Sequence, residues 1–572
     1  MGEVVERVEA ALDAIACSDR PEVWITVVDA DLLLAAARRV ERRTAAGERL
    51  PLAGVTVGVK DNIDVAGVPT TAGCPAYRRV AAEDAPCVAA LVDAGALVVG
   101  KTNMDQFATG LVGTRTPYGA VRNAVDAGYV AGGSSSGSAV AVALGQVDLA
   151  LGTDTAGSGR VPAAFNGIVG LKPTRGVVST RGTVPACVSL DCVSIFTRSA
   201  AAARRAFDVM ALPDPFDPYS RPMRLRRPLR RTVQVVGVPD VDDLDVPAEC
   251  AKLFQLAAGR LDALGVRTEA IDLAPFLQAG RVLYDGALVA ERYAAVGRFV
   301  AGHRDEVDPV VAGIIERSAA LPAYQLAADL DRLARLRLAA AAAFRRVDAL
   351  MLPTAPFHPT IEEVAAAPVT LNEQLGVFSH FCNPLDLCAM ALPSGQSAIG
   401  LPWGVTVFAP AFDDVALADF GGRYLGEPVR RPGGRAAPSS GASQGRLLVV
   451  AGAHLRGQPR NRELTVHGGR FVERTTTAAS YRFYRLATDP PKPGLVRVSD
   501  PGGASIEVEV WELDDRGFAR LVSATLPPLA IGSVQLADGR WLPGFVCQAG
   551  GTDRAEDITA HGGWRAYLQA GA

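Results

Sequence analysis

The sequence holds 572 residues, 49% of them hydrophobic and 21% charged, with a formal net charge of -3. That is an ordinary globular composition, long enough for two or three domains, and it leaves no overall basic field for nucleic acid or an anionic membrane surface. Nine scattered cysteines, odd in number and without a CxxC pair, argue against a disulfide framework or a zinc site and for reduced thiols.

The chain opens on Met1-Gly2-Glu3-Val4-Val5-Glu6, which lacks the basic start and apolar core of a signal peptide. Glu6 stands where a myristoylation pattern needs Ser or Thr. No apolar run reaches the roughly 18 residues of a membrane span. A cytoplasmic protein without membrane or nucleic-acid partners is expected. Val55–Val59 and Ala96–Gly100 read as buried strands, and Val88–Asp93 and Ser138–Leu144 as helices. This alternation predicts an α/β fold, a mixed sheet covered by helices. The Arg224–Arg231 run reads as a solvated loop, and segments 246–264 and 321–347 as longer helices. Arg431–Gly445 is rich in Pro, Gly and Ser and cannot pack a core. It divides a large domain, 1–432, from a small one, 446–572, with 433–445 as the linker. After it, Leu447–Val450, Tyr481–Leu486, Ile506–Trp511 and Trp541–Cys547 are short runs between Gly, Pro and Asp turns, which predicts a β-rich α+β domain. Ile506–Trp511 alternates with period 2, as a half-buried strand does.

The six histidines all lie at or beyond His303. If the chemistry sits in the first 302 residues, a Ser-His-Asp triad there is excluded, and a serine nucleophile would need Lys as its base. Two glycine-serine stretches stand out, Gly132–Ser138 (GGSSSGS) and Gly152–Pro162 (GTDTAGSGRVP). Serine among glycines is reachable, and successive backbone N–H groups ahead of Ser158 can form a nest for an oxyanion. A phosphate cradle is disfavoured, because GxxxxGK[ST] is missing. Lys60 ends an apolar strand, so burial should lower its pKa toward neutrality and let it accept a proton. Taken alone, the segment reads more readily as a snorkelling lysine at a strand end.

Gly-Gly-Ser-Ser-Ser-Gly, the spacing from Ser134 to Ser158, the following Ser-x-Arg-x-Pro and the upstream Lys60-Asp-Asn together resemble the amidase signature family, over roughly residues 20–430. The resemblance implies that Ser158 attacks an amide carbonyl, that Ser134 relays the proton from a cis peptide bond after Gly133, and that Lys60 is the terminal base. It implies an oxyanion hole from the backbone amides of Thr155, Ala156, Gly157 and Ser158, braced by Asp154 and Arg160. No metal or other cofactor is implied.

Gly159, where the family usually has an aliphatic residue, and Ser136, where it often has Gly, are similar to the allophanate hydrolase branch. That branch implies substrate contacts from Tyr284, Arg292 and Gly110. Phe276–Tyr293 reads as one helix, so Tyr284 and Arg292, eight apart, lie on neighbouring faces. Allophanate is a carboxylated urea, and a guanidinium fork pairs with a carboxylate. The loop Val450–Asn461, the run Pro543–Cys547 and the run Glu556–Trp564 resemble the branch's C-terminal domain of γ-glutamyl cyclotransferase-like fold, with Gln458 where relatives often have Met. The resemblance implies that the first domain releases ammonia and leaves N-carboxycarbamate, and that the second promotes its decarboxylation. His454 is the candidate there, with Tyr481, Arg482, Glu507 and Glu509 behind it; the alternating strand puts both glutamates on one face. A homodimer is expected, with functional association to urea carboxylase or cyanurate-pathway enzymes. The alternative is an amidase for another small amide, its tail an oligomerisation or binding module.

Overall fold

A computed structural model describes residues 2–223, 232–284, 286–428, 446–465, 469–498, 502–513, 515–548 and 550–570. The Arg224–Arg231 run and the 433–445 linker lie outside these residues. The chain forms two compact units, Met1–Arg431 and Pro432–Ala572.

The first unit is built on an 11-stranded mixed sheet. Its strands are β1 (Trp24–Val27), β2 (Thr56–Lys60), β3 (Leu97–Thr102), β4 (Leu149–Thr153), β5 (Val169–Lys172), β6 (Val193–Thr197), β7 (Val235–Val238), β8 (Arg267–Ala270), β9 (Ala349–Pro353), β10 (Leu387–Gln396) and β11 (Pro402–Pro410). Their order is β1-β3-β2-β4-β6-β5-β10-β11-β9-β7-β8. Strand β2 lies between β3 and β4 and is parallel to both, and every residue of Thr56–Lys60 is buried. Burial on both faces is why this strand reads as an unbroken apolar run rather than an alternation. Successive residues of β4 feed opposite cores. Leu149 and Leu151 join a cluster with Phe207, Phe254 and Phe276, while Ala150 joins one with Val8, Leu33 and Ala139.

The predicted helices at 246–264 and 321–347 appear as Ala248–Ala263 and Ala323–Ala343. The stretch Phe276–Tyr293 is not one helix. A helix covers Ala274–Tyr284, Gly286 is extended (φ -97°, ψ -177°), and new short turns begin at Ala287 and Ala290. The break is fixed by Asp329, whose carboxylate accepts the Ala287 N–H at 2.7 Å. Eight-residue helical spacing therefore does not relate Tyr284 to Arg292.

The second unit holds β12 (Arg446–Val450), β13 (Arg470–Thr476), β14 (Tyr481–Leu486), β15 (Lys492–Arg497), β16 (Glu507–Leu513), β17 (Leu529–Gln535), β18 (Trp541–Cys547) and β19 (Glu556–Asp557). They form a five-stranded sheet, β13-β16-β12-β18-β17, and a three-stranded one, β15-β14-β19. The expected α/β unit with a mixed sheet, followed by a β-rich α+β unit, is thus observed. Ile506–Trp511 departs from the half-buried reading, because Glu509 and both its neighbours are buried. Strand β16 is paired on both edges, between β13 and β12, and Arg565 and the Arg456 amide cover its Glu509 face. Among the described residues no helix is long and apolar enough to cross a membrane.

Candidate active site

Two neighbouring strand ends and two glycine loops meet at one point. In open α/β sheets the crevice beyond the carboxyl ends of parallel strands is where side chains converge on a ligand. Lys60 ends β2 and Thr153 ends β4, and these strands pair in parallel. Ser134 lies just ahead of the helix Ser136–Ala143, which Ser138 pins to β4 through a 2.9 Å hydrogen bond to the Leu151 carbonyl.

The Lys60 ammonium is fully buried and donates to Ser134 Oγ and Thr153 Oγ1, each at 2.7 Å. Among the described residues it has no carboxylate at ion-pair distance. Lys101, on the adjacent strand, is equally buried but sits 3.3 Å from Asp61. The difference separates a structural lysine from one poised for proton transfer. Burial pushes the Lys60 pKa down from 10.5 to about 7, against the opposing fields of Asp105, Asp191 and Asp154. The Gly133–Ser134 peptide bond is cis.

Ser158 is 4% exposed, in the loop between β4 and the helix Val161–Phe165. Asp154 organises this loop. Its carboxylate accepts the Gly157 N–H at 2.8 Å and the Gly159 N–H at 3.0 Å, and Arg160 grips it through two bonds of 2.8 Å. Burial alone would raise the Asp154 pKa, but the Arg160 guanidinium outweighs it and holds the carboxyl below its usual range. The Gly157 amide is therefore committed. The amides of Thr155, Ala156 and Ser158 have no acceptor among the described residues, which leaves three of the four expected donors open. At Gly159 a Cβ would lie 2.6 Å from the Ser194 Cβ, so the close packing of β6 accounts for glycine after the serine.

Three residues that sequence reading passed over hold the loop from outside. Ser379 Oγ donates to the Ala156 carbonyl at 2.7 Å, and its own carbonyl accepts from Arg160 at 3.0 Å. Asn383 donates to the Asp154 carbonyl at 2.7 Å. Asp191 accepts from the Thr155 hydroxyl and, at 2.9 Å, from the Ala186 amide. His380, from the same stretch as Ser379, is brought within the fields of Arg160 and Arg292. Burial first, and those two cations next, push its pKa down to about 3, so it is a neutral imidazole.

Arg292 is 6% exposed and donates to Thr109 Oγ1 at 2.8 Å, beside Gly110. Gly110 packs on Asp105, where a Cβ would lie 2.5 Å from Oδ2. Tyr284 ends its helix, and its side chain lies outside the described residues.

In the second unit Arg565 brings Glu507 and Glu509 together, and the other candidates make separate contacts. His454 Nε2 lies 3.1 Å from Glu463 Oε2, with the ring stacked on Phe545, and burial lowers its pKa. The Tyr481 hydroxyl is buried and accepts the Gln535 amide at 2.8 Å, a core role. Arg482 lies 4.0 Å from Asp557. Glu507 pairs with Arg565 at 2.7 Å. Glu509 accepts from Arg565 at 2.7 Å and from Trp511 Nε1 at 3.1 Å, so it is not a solvent-facing glutamate.

The amidase family profile matches residues 6–418, and the profile of the allophanate hydrolase C-terminal domain matches 446–569. The chain is 40% identical to a urea amidolyase of Saccharomyces cerevisiae over 98% of its own length and 32% of that protein. It is 35% identical to a glutamyl-tRNA(Gln) amidotransferase component of Symbiobacterium thermophilum, over 73% of this chain and 92% of that one. The structure of Kluyveromyces lactis allophanate hydrolase matches with a TM-score of 0.72 and 37% identity, covering 100% of this chain and 97% of that one. The chain spans about a third of the length of the urea amidolyases it matches.

Proposed function

The chain belongs to the amidase family, and on that premise we propose that it is an allophanate hydrolase working through Ser158, Ser134 and Lys60. The observation that carries the mechanism is the buried Lys60, held by two hydroxyls and, among the described residues, no carboxylate, with a pKa of about 7. The C-terminal family match and the likeness to K. lactis allophanate hydrolase support the substrate.

Ser158 Oγ attacks the carbonyl carbon of the terminal amide. Its proton passes to Ser134 Oγ as the Ser134 proton passes to neutral Lys60. The charge that develops on the carbonyl oxygen is met by the amides of Thr155, Ala156 and Ser158, each aligned donor being worth about 10²–10³ in rate. Collapse of this intermediate returns the proton through the same relay to the leaving nitrogen and releases ammonia. Water then repeats the path, with Lys60 again as base, and frees Ser158 and N-carboxycarbamate. Arg292, anchored by Thr109 next to Gly110, offers its guanidinium to the substrate carboxylate, and Tyr284 completes that contact. Asp154 and Arg160 keep the loop amides aimed. In the second unit His454, oriented by Glu463, assists the decarboxylation that yields ammonia and carbon dioxide. A homodimer and a functional link to a carboxylase that supplies allophanate, with cytoplasmic residence, complete the reading.

Ammonia and carbon dioxide release from allophanate, malonamide and a long-chain amide, measured side by side, tests it. Preferential release from allophanate is expected, and Arg292→Lys should raise KM for allophanate while leaving malonamide turnover nearly unchanged. No ammonia from allophanate, with brisk release from either other amide, removes the substrate assignment.

A further inference from the structure

We infer that Asp105 is a positioning residue that locks the Gly110–Arg115 loop and the Gly133–Ser134 turn around one ionised carboxylate facing Lys60. Asp105 is wholly buried. Its Oδ2 accepts the amides of Val112 and Gly113 at 3.3 and 3.1 Å, and its Oδ1 accepts the Arg115 amide at 3.0 Å. Its own amide donates to the Ser134 carbonyl at 3.2 Å. A Cβ at Gly133 would lie 2.1 Å from Oδ2 and one at Gly110 2.5 Å, so both glycines pack directly on that oxygen. One side chain thus touches the turn that carries the relay serine and the loop beside the Arg292 anchor.

The hydrogen bonds fix the charge state. Both oxygens accept from backbone N–H groups, which favours the carboxylate, since a protonated acid would have to donate. Burial outweighs the nearby Arg115 charge and the amides and leaves the Asp105 pKa above its ordinary value. Three carboxylates face Lys60: Asp105, Asp191 and Asp154. Asp154 is neutralised by its bidentate partner Arg160. Asp191 lies in the field of Arg292. The Asp105 carboxylate is held by amides, and among the described residues no cation sits at ion-pair distance from it. Of the three, its field acts most strongly on Lys60. Seating the loop and setting the proton affinity of the base become one act.

The inference rests on Lys60 as the base, and the test separates the two. In the full chain, kcat/KM for allophanate is measured against pH for the wild type and Asp105→Asn, with the fold of each checked by circular dichroism and thermal melting. Activity needs neutral Lys60, so the wild-type rate rises with pH through about 7. Asp105→Asn keeps an acceptor but removes the charge that favours protonated Lys60. The limb should move to lower pH, and kcat/KM should fall about 10–100-fold as loop and relay lose register. A folded variant whose rate falls while the limb stays in place overturns the inference and leaves a purely structural aspartate. A wild-type profile without this limb overturns the base assignment, and the inference with it. If Asp105→Asn does not fold, Gly110→Ala displaces the same carboxylate from the other side, and an unmoved limb in that folded variant is equally contrary.

Discussion

Lys60→Met lowers the ammonia-releasing rate by about 10²–10⁴-fold and abolishes its rise through pH 7, while making the fold more stable. The two effects have one cause. The folded lysine has its pKa depressed from 10.5 to about 7 by burial. Between those values the unfolded chain binds a proton that the folded chain does not, so wild-type stability rises with pH across that window. The penalty of burying the charge is complete at and below pH 7 and gone above 10.5. Met fills the space without a charge, at the loss of two hydrogen bonds to Ser134 and Thr153. Thermal melts should therefore show the variant above the wild type at pH 6, with the gap closing toward pH 10. A variant less stable at pH 6 than the wild type contradicts the buried, uncompensated lysine.

Arg160→Met acts in the opposite direction on stability. Arg160 and Asp154 are both fully buried and joined by two 2.8 Å bonds. Removing the cation leaves an unpaired buried carboxylate, a loss of about 3–5 kcal/mol, and frees the loop that carries Ser158. The double variant Asp154→Asn/Arg160→Met should recover part of the stability, since no bare charge remains, but not the activity. The pair also gives a pH signature. Asp154 has its folded pKa depressed, so its contribution is present above the unfolded carboxylate value and is lost as pH falls through the folded one. Urea unfolding between pH 3 and 7 should show this acid loss in the wild type and not in the double variant.

What the sequence revealed of this site follows from how local each feature is. Lys60 ends a short apolar strand, Ser134 lies in a glycine-serine loop just ahead of a helix and Ser158 in one just after a strand, so composition over ten residues exposes them. Ser379, Asn383 and Asp191 brace the same loop from 36 to 229 positions away in the chain. They sit in irregular stretches with no period and no unusual composition, and only the folded sheet order brings them in. Asp105 is hidden for the same reason: its partners are backbone amides, which carry no sequence signal. The broken helix at Gly286 and the covered glutamate at Glu509 show a second limit. Periodicity reports an element's own faces, and it is blind to Asp329 capping a new turn or Arg565 closing over a strand. The type of element was legible where the apolar runs are strong, as at Val55–Val59 and Leu447–Val450. The structure was also needed to separate His454, paired with Glu463, from the core role of Tyr481.

The central claim is that Ser158 is the nucleophile and allophanate its substrate. The most direct measurement is the rate of ammonia release from allophanate by the full chain and by Ser158→Ala, compared at pH 8, where neutral Lys60 predominates. The wild type should turn over, and the variant, melting at nearly the same temperature, should be slower by about 10⁴-fold or more. A folded Ser158→Ala enzyme that still releases ammonia within tenfold of the wild type would contradict the account.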